Sequence, residues 1–383
     1  MSVRIAILVD NKPLFASGII QQALFTYKCL ANTPGHSVFF VSTDPTYLTF
    51  GQETGFFQDI PVMTLTQSNL EMVLDGVSIF LCLSSNINTD RPTLERIKNQ
   101  GTKIVQNICG NNFIIDQERF VFGCHEGINF YENSELYDEY WLLPMYSFAK
   151  SYIETMTRRP VIVVPYVWDA DIIEAWMKRS IPLSDIHWRP FGSNITNPTI
   201  LIAEPNVSIH KTALVPLAIC ERYFLEGGKL EKVLCLSTNK ADASDHQRLQ
   251  MMSQLTITRM HKVETYPRMI LPDVLHQLLN LGKSPIIISH QIMNDLNFLQ
   301  LEMFYLGYPI IHNCERLKDA GFYYEACNVE QGAELLADLS SSTTKINLKA
   351  IQKRSKEILW RYSSSNPVNI HEYADRIMQS LHS

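Results

Sequence analysis

Glycine is scarce in this chain, at 16 of 383 residues. Phosphate-cradling loops usually announce themselves through clustered glycines, and their signatures are missing. No GxGxxG occurs, and the GKS at 282–284 has Gln277 where a P-loop needs its first glycine. A nicotinamide dehydrogenase and a P-loop NTPase are therefore disfavoured. The eight cysteines include no CxxC pair and no ligand-like spacing to histidine, which reads as reduced core cysteine and no metal site. Long apolar runs are also lacking: nothing approaches the ~20 residues of a membrane span. The N-terminal MSVRIAILVD is broken by Asp10 before it reaches the length of a secretory leader. Nor does one sign of charge dominate. With 33 Lys plus Arg against 39 Asp plus Glu, the net charge is -6, and no run of basic residues supplies a grip on nucleic acid or anionic lipid. A soluble, cytoplasmic protein with no nucleic-acid partner is expected.

What is present is enough apolar material for large cores, 46% against 19% charged. At about 150 residues per domain, the length asks for two or three domains. Short apolar runs recur with helical patterns between them, as in parallel sheets covered on both faces. The first series is 4–10, 37–43, 77–84, 102–109, 139–144 and 161–167; the second is 199–205, 232–238, 255–260, 285–290 and 308–313. Between them, IPLSDIHWRPFGSNITNP reads as a linker. Ligands of open parallel sheets bind at the carboxyl ends of strands. Attention falls on the polar residues there: Asp10 to Gly18, Asn107 to Asn112, Glu204 to Lys211, His290 to Asn297, and His312 with Asn313.

The segment SHQIMNDLNFLQLEMFYLGYPIIHN resembles the donor-site element of GT-B glycosyltransferases, in which a Glu-bearing helix and a Gly-x-Pro turn return the chain to the sheet. ILIAEPNVSIHKTALVPLAICE is similar to the first strand and helix of their second domain. With CGNN, SGIIQQALF and LKDAGFYY, the chain looks most like a bacterial glycosyltransferase-like family of unknown function and, more distantly, the retaining family-four glycosyltransferases.

The resemblance implies an α/β fold of two Rossmann-like doubly wound domains facing a central cleft. Residues 1–175 would form the acceptor side, 176–198 a linker, 199–355 the nucleotide-sugar-binding domain, and 356–383 a C-terminal helix returning to the first domain. It implies transfer of a sugar from a UDP-, GDP- or ADP-sugar to a hydroxyl of a glycan, lipid-linked glycan or protein, by a retaining reaction without a metal. The nucleotide sugar is a substrate, and no tightly bound cofactor is implied. A sugar-nucleotide epimerase and a non-catalytic binding module on the same fold are the alternatives. Without a membrane span, only peripheral membrane contact remains open.

The implied residues can be weighed singly. Glu302 matches the carboxylate that accepts hydrogen bonds from the nucleotide ribose. Lys211, after the first strand of the second domain, matches the cation that neutralises the leaving diphosphate. Eight residues before Glu302 the family commonly has another Glu, and here stands Asn294, which keeps polarity but loses the charge. Asn294 and Asn297 would contact donor sugar or phosphate, with helix capping as the plainer role for Asn297. His290, His312 and Asn313 end strands at the site, Arg268 offers a second cation, and Asn206 flanks Lys211 and suits a cap. Gly18 would let the first domain's backbone approach the phosphates. His125 with Glu126 would serve as acid and base only if the reaction inverted configuration.

Overall fold

The apolar runs become the strands of two parallel sheets in the computed structural model, which describes residues 3–9, 17–44, 59–83, 90–126, 131–180, 196–238, 243–341 and 347–382. Asp10 and the linker residues 181–195 lie outside the described residues. The chain divides into two units, Met1–Ile172 with Arg361–Ser383, and Ile173–Trp360. The second unit thus starts before the expected linker. A single helix, Leu348–Tyr362, runs through the expected boundary at 355/356, and a second helix, Pro367–His382, follows it.

In the first unit β1 (Val3–Val9), β2 (His36–Ser42), β3 (Val62–Thr64), β4 (Ile79–Leu83), β5 (Lys103–Ile108), β6 (Glu139–Leu142) and β7 (Val161–Val163) stand in the order β3-β2-β1-β4-β5-β6-β7. Every pairing is parallel. The uninterrupted apolar runs follow from this: both faces of β1, β4 and β6 are covered, so alternation would put polar groups inside. Helix Pro367–His382 closes this unit. Its Tyr373 hydroxyl donates to the Pro165 carbonyl at 2.8 Å, and Arg376 and Ser380 meet the buried Glu139 carboxylate at 2.9 and 2.6 Å.

The second unit carries β8 (Thr199–Ile202), β9 (Lys232–Cys235), β10 (Val263–Thr265), β11 (Ile286–Ser289), β12 (Ile310–His312) and β13 (Phe322–Tyr323), ordered β10-β9-β8-β11-β12-β13 and again parallel. Ile200, Ile202, Val233, Ile286, Ile288 and Ile311 form its core with Ile219, Leu336 and Tyr324.

One expected strand is a helix. LTITRM folds as helix Thr256–Arg259, because the Glu221 carboxylate accepts from the backbone N–H groups of Thr256 and Ile257 at 2.7 and 2.9 Å and caps the turn. The edge strand is the next segment, β10. All eight cysteines are unbridged, and five are buried.

Candidate functional site

In both sheets the strand order reverses once, and at that point the flanking helices leave on opposite faces and open a crevice at the strands' carboxyl ends. In the second unit the reversal falls between β8 and β11. Two residues beyond β8 stands Glu204, 1% exposed. One of its oxygens accepts from the Ser289 hydroxyl at 2.6 Å and from the His290 N–H at 3.2 Å; the other accepts from the Gln291 amide at 3.4 Å. Burial still pushes the carboxyl up to about 7 against the pull of these donors and of Lys211. Glu204 ties the ends of the two switch-point strands together.

The chain leaving β8 is shaped for this. Asn206 holds a left-handed conformation at φ 51°, which Asn tolerates better than most residues. Its Nδ2 donates to the Glu204 carbonyl at 2.9 Å, and its Oδ1 accepts from the Ala213 N–H at 2.8 Å, just before helix Leu214–Leu225. Asn206 therefore organises the loop. Lys211 bridges antiparallel to Gln291, and the Ile292 N–H donates to the His210 carbonyl at 3.0 Å, so the two strand-end loops are zipped. Lys211 is half-buried there, and burial lowers its pKa while the Glu204 charge opposes that shift.

The β12 side adds amides. Asn313 imitates a strand partner: its Oδ1 accepts from the Gln291 N–H at 2.9 Å and its Nδ2 donates to the Gln291 carbonyl at 2.8 Å. Asn294 is fully buried and donates to the Gln291 side chain. His290 lies 2.8 Å from the Tyr324 hydroxyl and 3.5 Å from the Cys327 thiol, and burial pushes it down to about 4. It is a neutral, anchored ring. His312 is more enclosed: Nδ1 accepts from the Cys314 N–H at 3.1 Å, and Nε2 donates to the Ala320 carbonyl at 2.9 Å. Both ring nitrogens serve the backbone, which makes His312 a scaffold residue. A Cβ on Gly321, whose φ is +64°, would stand 2.9 Å from that ring.

Asn297 caps helix Phe298–Leu306, accepting from the Leu299 N–H at 2.8 Å, while Gln300 accepts from the Asn297 N–H at 3.1 Å. Glu302 lies on the same helix, half-buried. Burial alone pushes its carboxyl up to about 7, and among the described residues none donates to it or pairs with it. A carboxylate in that setting has acceptor capacity to spare. Arg268 is exposed on the loop leaving the edge strand β10, two strands from β8.

In the first unit Gly18 is the exposed first residue of helix Gly18–Ala31, which Ser17 caps, and Asn111 caps helix Asn112–Phe122. His125 pairs with Glu118 at 2.6 Å and not with Glu126. It follows the C-terminal end of an 11-residue helix that begins at the β5 strand end, about 16 Å away along the axis. An acid/base pair of His125 and Glu126 is not formed.

Sequence reasoning passed over Gln291 and Gln300, and gave Glu204 no role beyond flanking Lys211. Gln291 carried a signal, a long amide directly after a strand; Tyr324 reaches His290 only through the fold.

The fold is shared with solved structures at low identity. HepE of Anabaena in complex with UDP aligns with a TM-score of 0.58 and 10% identity, covering 99% of this chain and 100% of that one. An alpha-glucosyltransferase in complex with UDP and a 13-mer DNA gives 0.62 and 12%, covering 100% of both chains. TarM gives 0.62 and 7%, covering 100% and 99%. These likenesses identify the α/β fold of GT-B glycosyltransferases. No curated protein matches the sequence. Residues 2–377 fit one family's sequence model, and the chain belongs to that family, described as Protein of unknown function (DUF2827).

Proposed function

We propose that the protein is a glycosyltransferase that takes its sugar from a nucleotide-sugar donor held by the second unit. The observation that carries this reading is Glu302: a half-buried carboxylate with no partner among the described residues, in a site where the side chains of Glu204, Asn206, His290, Asn294 and Asn313 are spent on neighbouring protein groups. The two ribose hydroxyls of a nucleotide are neutral donors that such a group can accept from. Two of the similar structures hold UDP, which makes a UDP-sugar the first donor to test.

Lys211 then faces the diphosphate. As the bond between the sugar's anomeric carbon and the phosphate oxygen breaks, the nucleoside diphosphate departs with the bonding pair, and the ammonium meets the growing charge. The acceptor hydroxyl forms the new bond from the same face and passes its proton to the departing phosphate oxygen, which makes the transfer retaining. His290, Asn294 and Asn313 act as positioning residues that fix the 289–294 loop around the donor. Asn297 sets the start of the Glu302 helix, Asn206 holds Lys211's loop, and Arg268 is a reserve contact to the phosphates. A glycan, lipid-linked or protein hydroxyl is the acceptor class.

The test is calorimetric titration with UDP, GDP, ADP and TDP, followed by nucleotide release from the corresponding sugars. Binding of one nucleotide, lost in Glu302→Ala, is the expected result. A folded wild-type protein that binds none of the four removes the proposal.

A further inference from the structure

Helix Leu348–Tyr362 has two faces of opposite character. Ile351, Ser355, Ile358 and Tyr362, spaced by four, three and four residues, are buried or half-buried. Lys349, Lys353, Lys356 and Trp360 follow the same spacing on the other side, and all four are exposed, Lys353 at 81% and Trp360 at 55%. The helix carries five basic residues and one acidic, Glu357, which pairs with Lys353 at 4.0 Å and Arg354 at 2.8 Å. This charge is gathered on one element of a chain whose net charge is -6.

A lysine stripe by itself is ordinarily a solvated face. Here an exposed indole stands in register with the lysines, an arrangement that suits the boundary between water and lipid headgroups. From Lys349 to Lys356 the charges of the stripe span about 10 Å, close to the ~8 Å over which salt screens a charge. Its charges therefore address one flat anionic surface together. Double-stranded nucleic acid would satisfy the lysines equally and, with its bases already stacked on one another, leave the exposed indole no apolar medium.

We propose that this face docks the protein on an anionic bilayer, with Lys349, Lys353 and Lys356 at the headgroup phosphates and Trp360 at the interfacial level. Among the described residues no helix is long and apolar enough to cross a membrane, so the contact is peripheral. It stands independently of the donor reading, since none of these residues belongs to that site.

The experiment is co-sedimentation of the full chain with vesicles of equal parts phosphatidylglycerol and phosphatidylcholine, and with vesicles of phosphatidylcholine alone. Binding to the anionic vesicles only, weakened by salt, is expected. Each Lys→Ala substitution at 349, 353 and 356 lowers partitioning about fivefold, so the triple variant loses roughly a hundredfold. Trp360→Ala costs a few-fold more and leaves the salt dependence intact. Circular dichroism and thermal melts of the lysine variants should match wild type, because the replaced side chains are exposed. Wild type that ignores anionic vesicles overturns the proposal, as does equal binding by the triple variant or to neutral lipid. Displacement from the vesicles by a double-stranded oligonucleotide at equal phosphate concentration assigns the face to nucleic acid and also overturns it.

Discussion

Two carboxylates in the second unit, Glu204 after β8 and Glu302 on helix Phe298–Leu306, are pushed to the same acidity by opposite surroundings. Glu204 is enclosed by donors from Ser289, His290 and Gln291; Glu302 has burial and no donor among the described residues. A satisfied buried carboxylate builds structure, because removing it strands its donors. An unsatisfied one weakens the empty protein and becomes favourable when a ligand supplies hydrogen atoms. The difference separates scaffold from site more sharply than residue type does.

The largest effect expected from this contrast is on stability. Glu204→Ala leaves the Ser289 hydroxyl and His290 N–H without their acceptor inside the unit, costing about 3–5 kcal/mol in urea unfolding. Glu204→Gln, which keeps an acceptor oxygen, costs less. An alanine variant that unfolds with wild type would remove Glu204 from the scaffold.

Next in size is a binding effect without a stability effect. Glu302→Ala weakens nucleotide affinity by roughly a hundredfold, the worth of two hydroxyl bonds to a charged acceptor, while its unfolding midpoint stays at or above wild type. If the variant instead unfolds early and still binds, the two carboxylates have the same role and the contrast fails.

Lys211→Ala should weaken UDP binding by about tenfold to a hundredfold and uridine binding little, as removal of a phosphate contact does. Equal losses for both ligands would place the lysine in the scaffold.

The last contrast is in pH. Glu302's folded pKa, raised to about 7 from its usual 4.5, means that the folded state binds more protons between those values, so stability falls as pH rises through that window. His290 and His312, lowered to about 4, act in the opposite sense from there to about 6.5. The difference between wild type and Glu302→Gln isolates the carboxylate: relative to the variant, wild type should lose stability between pH 5 and 7, with the loss complete above the folded pKa. A difference that stays flat over this range shows Glu302 to be ordinarily solvated.

Much of this was legible in the chain itself. Apolar runs without alternation require strands covered on both faces, and that requirement, with their order, yields two doubly wound sheets and the strand ends worth reading. Glu302 could be singled out because a carboxylate in LNFLQLEMFYLG is costly to bury without a purpose. The tertiary structure decided what spacing cannot carry. It turned LTITRM into a helix through Glu221, 35 residues upstream, and paired His125 with Glu118, seven residues back, in place of its neighbour Glu126. It committed both nitrogens of His312 to the backbone. It also decided which face of helix Leu348–Tyr362 is buried, leaving Lys349, Lys353 and Lys356 on the exposed one. Periodicity is a local property of the chain, whereas a hydrogen-bond partner is fixed only when distant strands are brought side by side.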